Sequence, residues 1–81
     1  MSVEKIELAE ANLKISKAVA AKYKKRAKEL GMEFGWLLEE AHFALFQAVS
    51  EFEGHDTDFP VFAEDVITKA IEEFLAAESG E

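Results

Sequence analysis

Eighty-one residues with a formal charge of −8 leave room for one small domain, whose core is modest relative to its surface. The chain has no cysteine, which excludes disulfides and thiolate metal sites. No apolar run approaches the roughly 18 residues of a membrane span, and "MSVEKIELAE" carries no signal-peptide pattern, so the chain reads as soluble and cytoplasmic.

The charge is divided along the chain. Residues 1–28 hold eight basic side chains against three acidic ones, a balance of +5. Residues 29–81 hold only Lys69 against fourteen acidic ones, a balance of −13. From Asn12 to Lys28 there are seven basic residues and no acid. Such asymmetry points to two surfaces with different partners, against the plainer alternative of a solvated helix face.

In chain order, "VEKIELAEA" (3–11) is short, mildly acidic and ambiguous. "NLKIS" (12–16) alternates, with Asn12, Lys14 and Ser16 on one side and Leu13 and Ile15 on the other, which predicts a short strand. Val19, Tyr23, Ala27 and Leu30 then share one helical face, and Gly31 is a natural stop, predicting a helix over 17–30. A second helix is predicted over 34–52, starting near Gly35, with a stripe of Leu37, Leu38, Ala41, Leu45, Ala48, Val49 and Phe52. Trp36, Phe43 and Phe46 point elsewhere on it. A helix apolar on more than one side is normally buried, and an 81-residue monomer has little to cover it, so a homodimer around this helix is expected. "EGHDTDFP" (53–60) is the clear loop, in which Thr57 or Asp58 can cap and Pro60 suits a first helical turn. A last helix over 61–77 has the stripe Phe62, Val66, Ile67, Ala70, Ile71, Phe74 and Leu75. The whole reads as a single, mainly α domain.

The order of strand, helix, glycine turn and helix in "NLKISKAVAAKYKKRAKELGMEFGWLLEEA" resembles the ribbon-helix-helix family of DNA-binding regulators. The likeness rests on the alternating strand, Ala27 and Gly31 near the helix end, and "LLEEA" in the second helix; it covers about residues 12–46. The resemblance implies an intertwined homodimer whose paired strands enter the major groove. Asn12, Lys14 and Ser16 would then read base edges, chemistry that their donors and acceptors suit. Leu13 and Ile15, with Leu38 and Leu45, would form the dimer core, and Lys17 and the amides at Gly35 would meet phosphate. The implied activity is transcriptional regulation; small regulators of the family often act as antitoxins, which implies an autorepressor whose acidic C-terminal helix takes a protein partner. Phe59, Phe62, Phe74 and Leu75 would serve such a helix-in-groove contact. One departure is that Glu33 and Gly35 stand where the family commonly has Ser or Thr, and Glu33 repels phosphate.

Other chemistry is sparse. Glu39 and His42 form a Glu-x-x-His pair, half of a di-iron ligand set, to which a dimer would add a second pair and Glu10 or Glu29 the rest. That spacing is common by chance, and a surface or partly buried His42 is the plainer reading. His55, Asp56 and Asp58 lack enough ligands for a cation, and helix capping accounts better for the two aspartates. No serine pairs with a plausible histidine base and no glycine loop cradles phosphate, so the sequence predicts neither an enzyme nor a cofactor.

A competing architecture comes from Leu8, Ala11, Ile15, Val19 and Tyr23, which also follow a helical spacing. Were residues 4–30 one long helix, the chain would be an all-α bundle: a dimeric, non-enzymatic interaction module without DNA binding. The two architectures differ at the backbone of residues 12–16.

Overall fold

A computed structural model describes residues 2–54 and 58–80. Five helices account for most of them: α1 (Val3–Ala11), α2 (Leu13–Lys22), α3 (Lys24–Glu29), α4 (Phe34–Glu51) and α5 (Phe59–Ser79). There is no strand among the described residues, and none of their helices is long and apolar enough to cross a membrane.

Residues 12–16 decide the architecture. Asn12 is a single non-helical residue (φ −117°, ψ 15°), and Leu13–Ser16 form the first turn of α2. The strand expected at "NLKIS" is therefore a correction, and with it goes the ribbon. The cause is visible at Ser16, which alternation placed on the outer face with Asn12 and Lys14. Its side chain is fully buried, bonded to the Leu13 carbonyl at 2.8 Å and to His42 at 2.7 Å. A serine whose hydroxyl is satisfied this way belongs to the inner stripe, and the helical spacing then prevails.

The N-terminal half is one interrupted helical rod. Ser2 caps α1, its hydroxyl accepting from the Lys5 amide at 3.3 Å. At Asn12 and again at Tyr23 the ladder tightens: Asn12 N–H donates to Ala9 O, Ile15 N–H to Asn12 O and Tyr23 N–H to Ala20 O, each three residues back. The Asn12 side-chain amide also donates to Leu8 O at 2.8 Å. Such 3₁₀-type turns bend the rod without ending it. The end comes at Gly31 (φ 71°), where Gly31 N–H donates to Lys28 O and Met32 N–H to Ala27 O. That pair of bonds is the Schellman arrangement, for which a left-handed glycine is the natural residue.

Cross-contacts orient the rods. Lys5, early in α1, reaches the end of α4, while Lys24 in α3 lies over the Phe34 ring at the start of α4. The first rod is thus antiparallel to α4. Phe52 packs edge-on against Phe59 with ring centroids 5.3 Å apart, reversing the chain into α5. The result is an up-down-up, three-rod bundle measuring 37 × 20 × 20 Å.

The core lies along the common axis. Leu37, Ala41, Leu45, Ala48 and Val49 of α4 meet Phe59, Ala63, Ile67, Ile71 and Leu75 of α5, with Ala9, Val19, Ala20 and Ala27 closing the third side. The α5 stripe advances by four residues at each step, and its many small partners let the rods approach closely. Of the expected stripes, Ile67, Ile71 and Leu75 are buried, whereas Phe62, Val66, Ala70 and Phe74 are half-buried. Phe59 and Ala63 carry the start of α5, two residues before the predicted boundary. Asp58 is the N-cap residue of α5 but makes no side-chain capping bond, and Pro60 occupies the first turn. His55, Asp56 and Thr57 lie outside the described residues.

Candidate interaction surfaces

The base-reading set is not assembled. Asn12 spends its amide on the Leu8 carbonyl, Ser16 is enclosed between α2 and α4, and only Lys14 projects to solvent. Lys17 is exposed on α2. Gly35 is exposed in the first turn of α4, two residues beyond the extended N-cap Glu33, which makes no side-chain capping bond. The proposed dimer-core residues also belong elsewhere. Leu45 is fully buried within the monomer, and Leu13, Ile15 and Leu38 pack half-buried against the same core. They serve this chain's own bundle because helical Leu13–Ser16 turns its apolar side toward α4.

The C-terminal helix offers no apolar groove ligand of the expected kind either. Phe59 and Leu75 are buried, and Phe62 and Phe74 are packed against the core. The solvent side of α5 carries Glu64, Asp65, Lys69, Glu72 and Glu73. Lys69 pairs with Asp65 at 3.0 Å and Lys22 crosses to Glu64 at 3.3 Å, both exposed pairs that contribute little stability.

Ser16 and His42 do meet, a pairing the sequence reading missed because the two lie 26 positions apart on different helices. The hydroxyl has one proton, and Leu13 O accepts it at 2.8 Å, so His42 Nδ1 is the donor to Ser16 Oγ. That polarity is the reverse of a serine nucleophile handing its proton to a base. Ser16 is also shut off from solvent. The pair joins α2 to α4 as a buried structural contact. Glu39 faces solvent while His42 is half-buried, and Glu10 and Glu29 are exposed on other segments. Among the described residues no group of three or more His, Asp or Glu side chains is placed to hold a metal ion.

One small open cleft of about 370 Å³ separates α2–α3 from α5, lined by Tyr23, Arg26, Glu72, Leu75 and Ala76. Tyr23 Oη donates to Glu72 Oε2 at 3.0 Å. Burial raises the Tyr23 pKa above its usual 10.0, and the hydrogen bond and charge of Glu72 add to the rise.

Two surfaces remain. On α2 and α3, Lys14, Lys17, Lys25 and Lys28 are exposed and make no ion pair with any described residue. On α4, the side turned away from the core carries large aromatic groups: Trp36 is 53% exposed, Phe43 70% and Phe46 38%. Phe43 follows Trp36 by two helical turns, so these residues form a stripe about 15 Å long. Glu39, Gln47 and Ser50 stand exposed among them. The sequence did signal this face, as the apolar positions that its main stripe could not accommodate.

No protein-family model, no curated protein and no solved structure matches this chain.

Proposed function

We propose that this chain is a non-enzymatic, acidic, all-α protein-interaction module that works as a homodimer through the outer face of α4. The observation that carries the reading is the exposure of Trp36, Phe43 and Phe46 on the side of α4 turned away from the core. Trp and Phe are residues that interface cores concentrate, and a contiguous aromatic stripe on a small soluble surface marks a contact site. Burying each exposed ring would contribute about 1.5–3 kcal/mol before the cost of association.

The test is the mass in solution. The wild-type chain is expected to sediment at twice its 9.1 kDa. Phe43→Glu, at a position with no role in the core, should give a monomer of unchanged helicity. The emission of Trp36, the sole tryptophan, should shift to the red in that variant. A wild-type monomer up to millimolar concentration would remove the reading.

A second reading is favoured by Lys14, Lys17, Lys25 and Lys28 of α2 and α3, which pair with no described residue. They suit the phosphates of a nucleic acid, contacted by helices and without base readout by Asn12, Lys14 and Ser16. DNA affinity falling with a log–log salt slope of about −0.9 per phosphate contact, and weakening on Lys14→Ala, would support it. No binding to duplex DNA at low salt would end it.

A further inference from the structure

We infer that the outer face of α2 and α3 is a phosphate clamp for duplex DNA, in which two lysine pairs seat on opposite banks of the major groove and the bases go unread. The inference rests on the nucleic-acid reading above and specifies its geometry. Residues 1–28 hold eight basic side chains, and the fold engages half of them. Lys5 donates to carbonyls in the last turn of α4, and Lys22 pairs with Glu64. Lys24 lies over the Phe34 ring, and Arg26 lines the cleft beside Tyr23 and Glu72. The other four, Lys14, Lys17, Lys25 and Lys28, are exposed and pair with no described residue.

These four are not scattered. Ser16 and Ala27 are both buried, so a step of eleven residues along this rod restores the same direction, the tight turn at Tyr23 included. Lys14 and Lys25 are related by that step, and so are Lys17 and Lys28. Within each pair, Lys14 with Lys17 and Lys25 with Lys28, the spacing of three places both side chains on one side of the helix. At a rise of about 1.5 Å per residue the two pairs stand about 16 Å apart. The major groove of B-form DNA is about 12 Å wide and the minor groove about 6 Å, so the pairs fall just outside the rims of the former, where its phosphates stand. A duplex carries a phosphate about every 1.7 Å of its axis, so any register along it satisfies both pairs. Ala18 and Ala21 lie exposed between them, and neither side chain donates or accepts a hydrogen bond. Glu10 and Glu29, exposed four residues before Lys14 and four after Lys25, close the two ends of the face to phosphate.

The arrangement can be read as a salt slope. Four phosphate contacts per bound copy give a log–log slope of about −3.6 on a fluorescent DNA duplex followed by anisotropy, equal for AT-rich and GC-rich sequences. The Lys14→Ala, Lys17→Ala double variant and the Lys25→Ala, Lys28→Ala double variant are each expected to lower it to about −1.8. The Lys22→Ala, Lys24→Ala double variant is expected to leave it unchanged. All six positions are exposed, and circular dichroism checks that each variant keeps its helix content. A preference for one sequence, a slope that falls in only one of the first two variants, or an equal fall in the third overturns the inference and leaves the phosphate-contact reading standing. No binding at low salt overturns both. Salt-sensitive self-association without DNA binding, lost in the first two variants, also overturns both and assigns the face to the acidic side of α5 in a second copy.

Discussion

Ser16 Oγ lies 2.7 Å from His42 Nδ1, and through that bond the second helical segment is pinned to the middle of α4. Both partners depend on it, since the serine is fully buried and the imidazole half-buried. Ser16→Ala removes the partner of the half-buried His42, and the loss of such a hydrogen bond costs about 0.5–1.5 kcal/mol. The variant is expected to unfold at lower urea concentration with an unchanged m-value, which equilibrium denaturation followed by circular dichroism will measure.

That same residue explains how far the sequence could be read. The helices at 17–30 and 34–52, the Gly31 stop and most of the inner stripes were legible because large apolar residues recur there at helical spacing. Residues 12–16 were not, because Ser16 counts as polar in any pattern and its burial depends on a histidine 26 positions away. With Ser16 on the outside, five residues alternate; with it inside, Leu8, Ile15 and Val19 join one helical run. Residues 3–11 stayed ambiguous for a related reason: only Ala9, a side chain too small to mark a stripe, is buried there. The α4 surface was legible in part. Three aromatics left over from the main stripe announced a second apolar side, but Leu38 and Leu45 could be assigned to the monomer core only once α5 and α2 were in place.

Two glycines that look alike in the sequence should respond in opposite directions to alanine. Gly31 sits at φ 71°, closing the first rod, and a side chain there is strained whatever the space around it. Gly31→Ala is expected to lower stability by about 1 kcal/mol. Gly35 lies within the first turn of α4 with no atom within 4 Å of an added Cβ. Gly35→Ala is expected to raise stability by about 0.4–1 kcal/mol, chiefly by restricting the unfolded chain. Paired thermal melts of the two variants check the signs.

Lys5 closes the other end of α4. Its Nζ donates to Ser50 O at 2.9 Å and Val49 O at 3.2 Å, two carbonyls of the last turn. It supplies a positive charge to the negative end of a helix that has no basic residue in its own last turn. Lys5→Met keeps the apolar stem but removes both bonds and the charge. A loss of about 0.3–1 kcal/mol is expected, shrinking as salt is added because part of it is electrostatic. Denaturation at low and high ionic strength separates the two contributions.

Tyr23 connects the bundle to pH. Burial, with the hydrogen bond and charge of Glu72, holds its folded pKa above the usual 10.0, so the folded state keeps the phenolic proton more tightly than the unfolded chain. The associated stability is fully present below pH 10.0 and is lost as pH rises through the folded pKa, since the folded state binds more protons across that interval. Tyr23 is the only tyrosine, so ultraviolet absorbance of the phenolate reports this one group. Its midpoint is expected above 10.0, moving back toward that value in Glu72→Gln, where the acceptor's charge is gone. Tyr23→Phe should unfold with a shallower alkaline dependence than wild type. A wild-type midpoint at or below 10.0 would show that the Tyr23–Glu72 contact does not persist in solution.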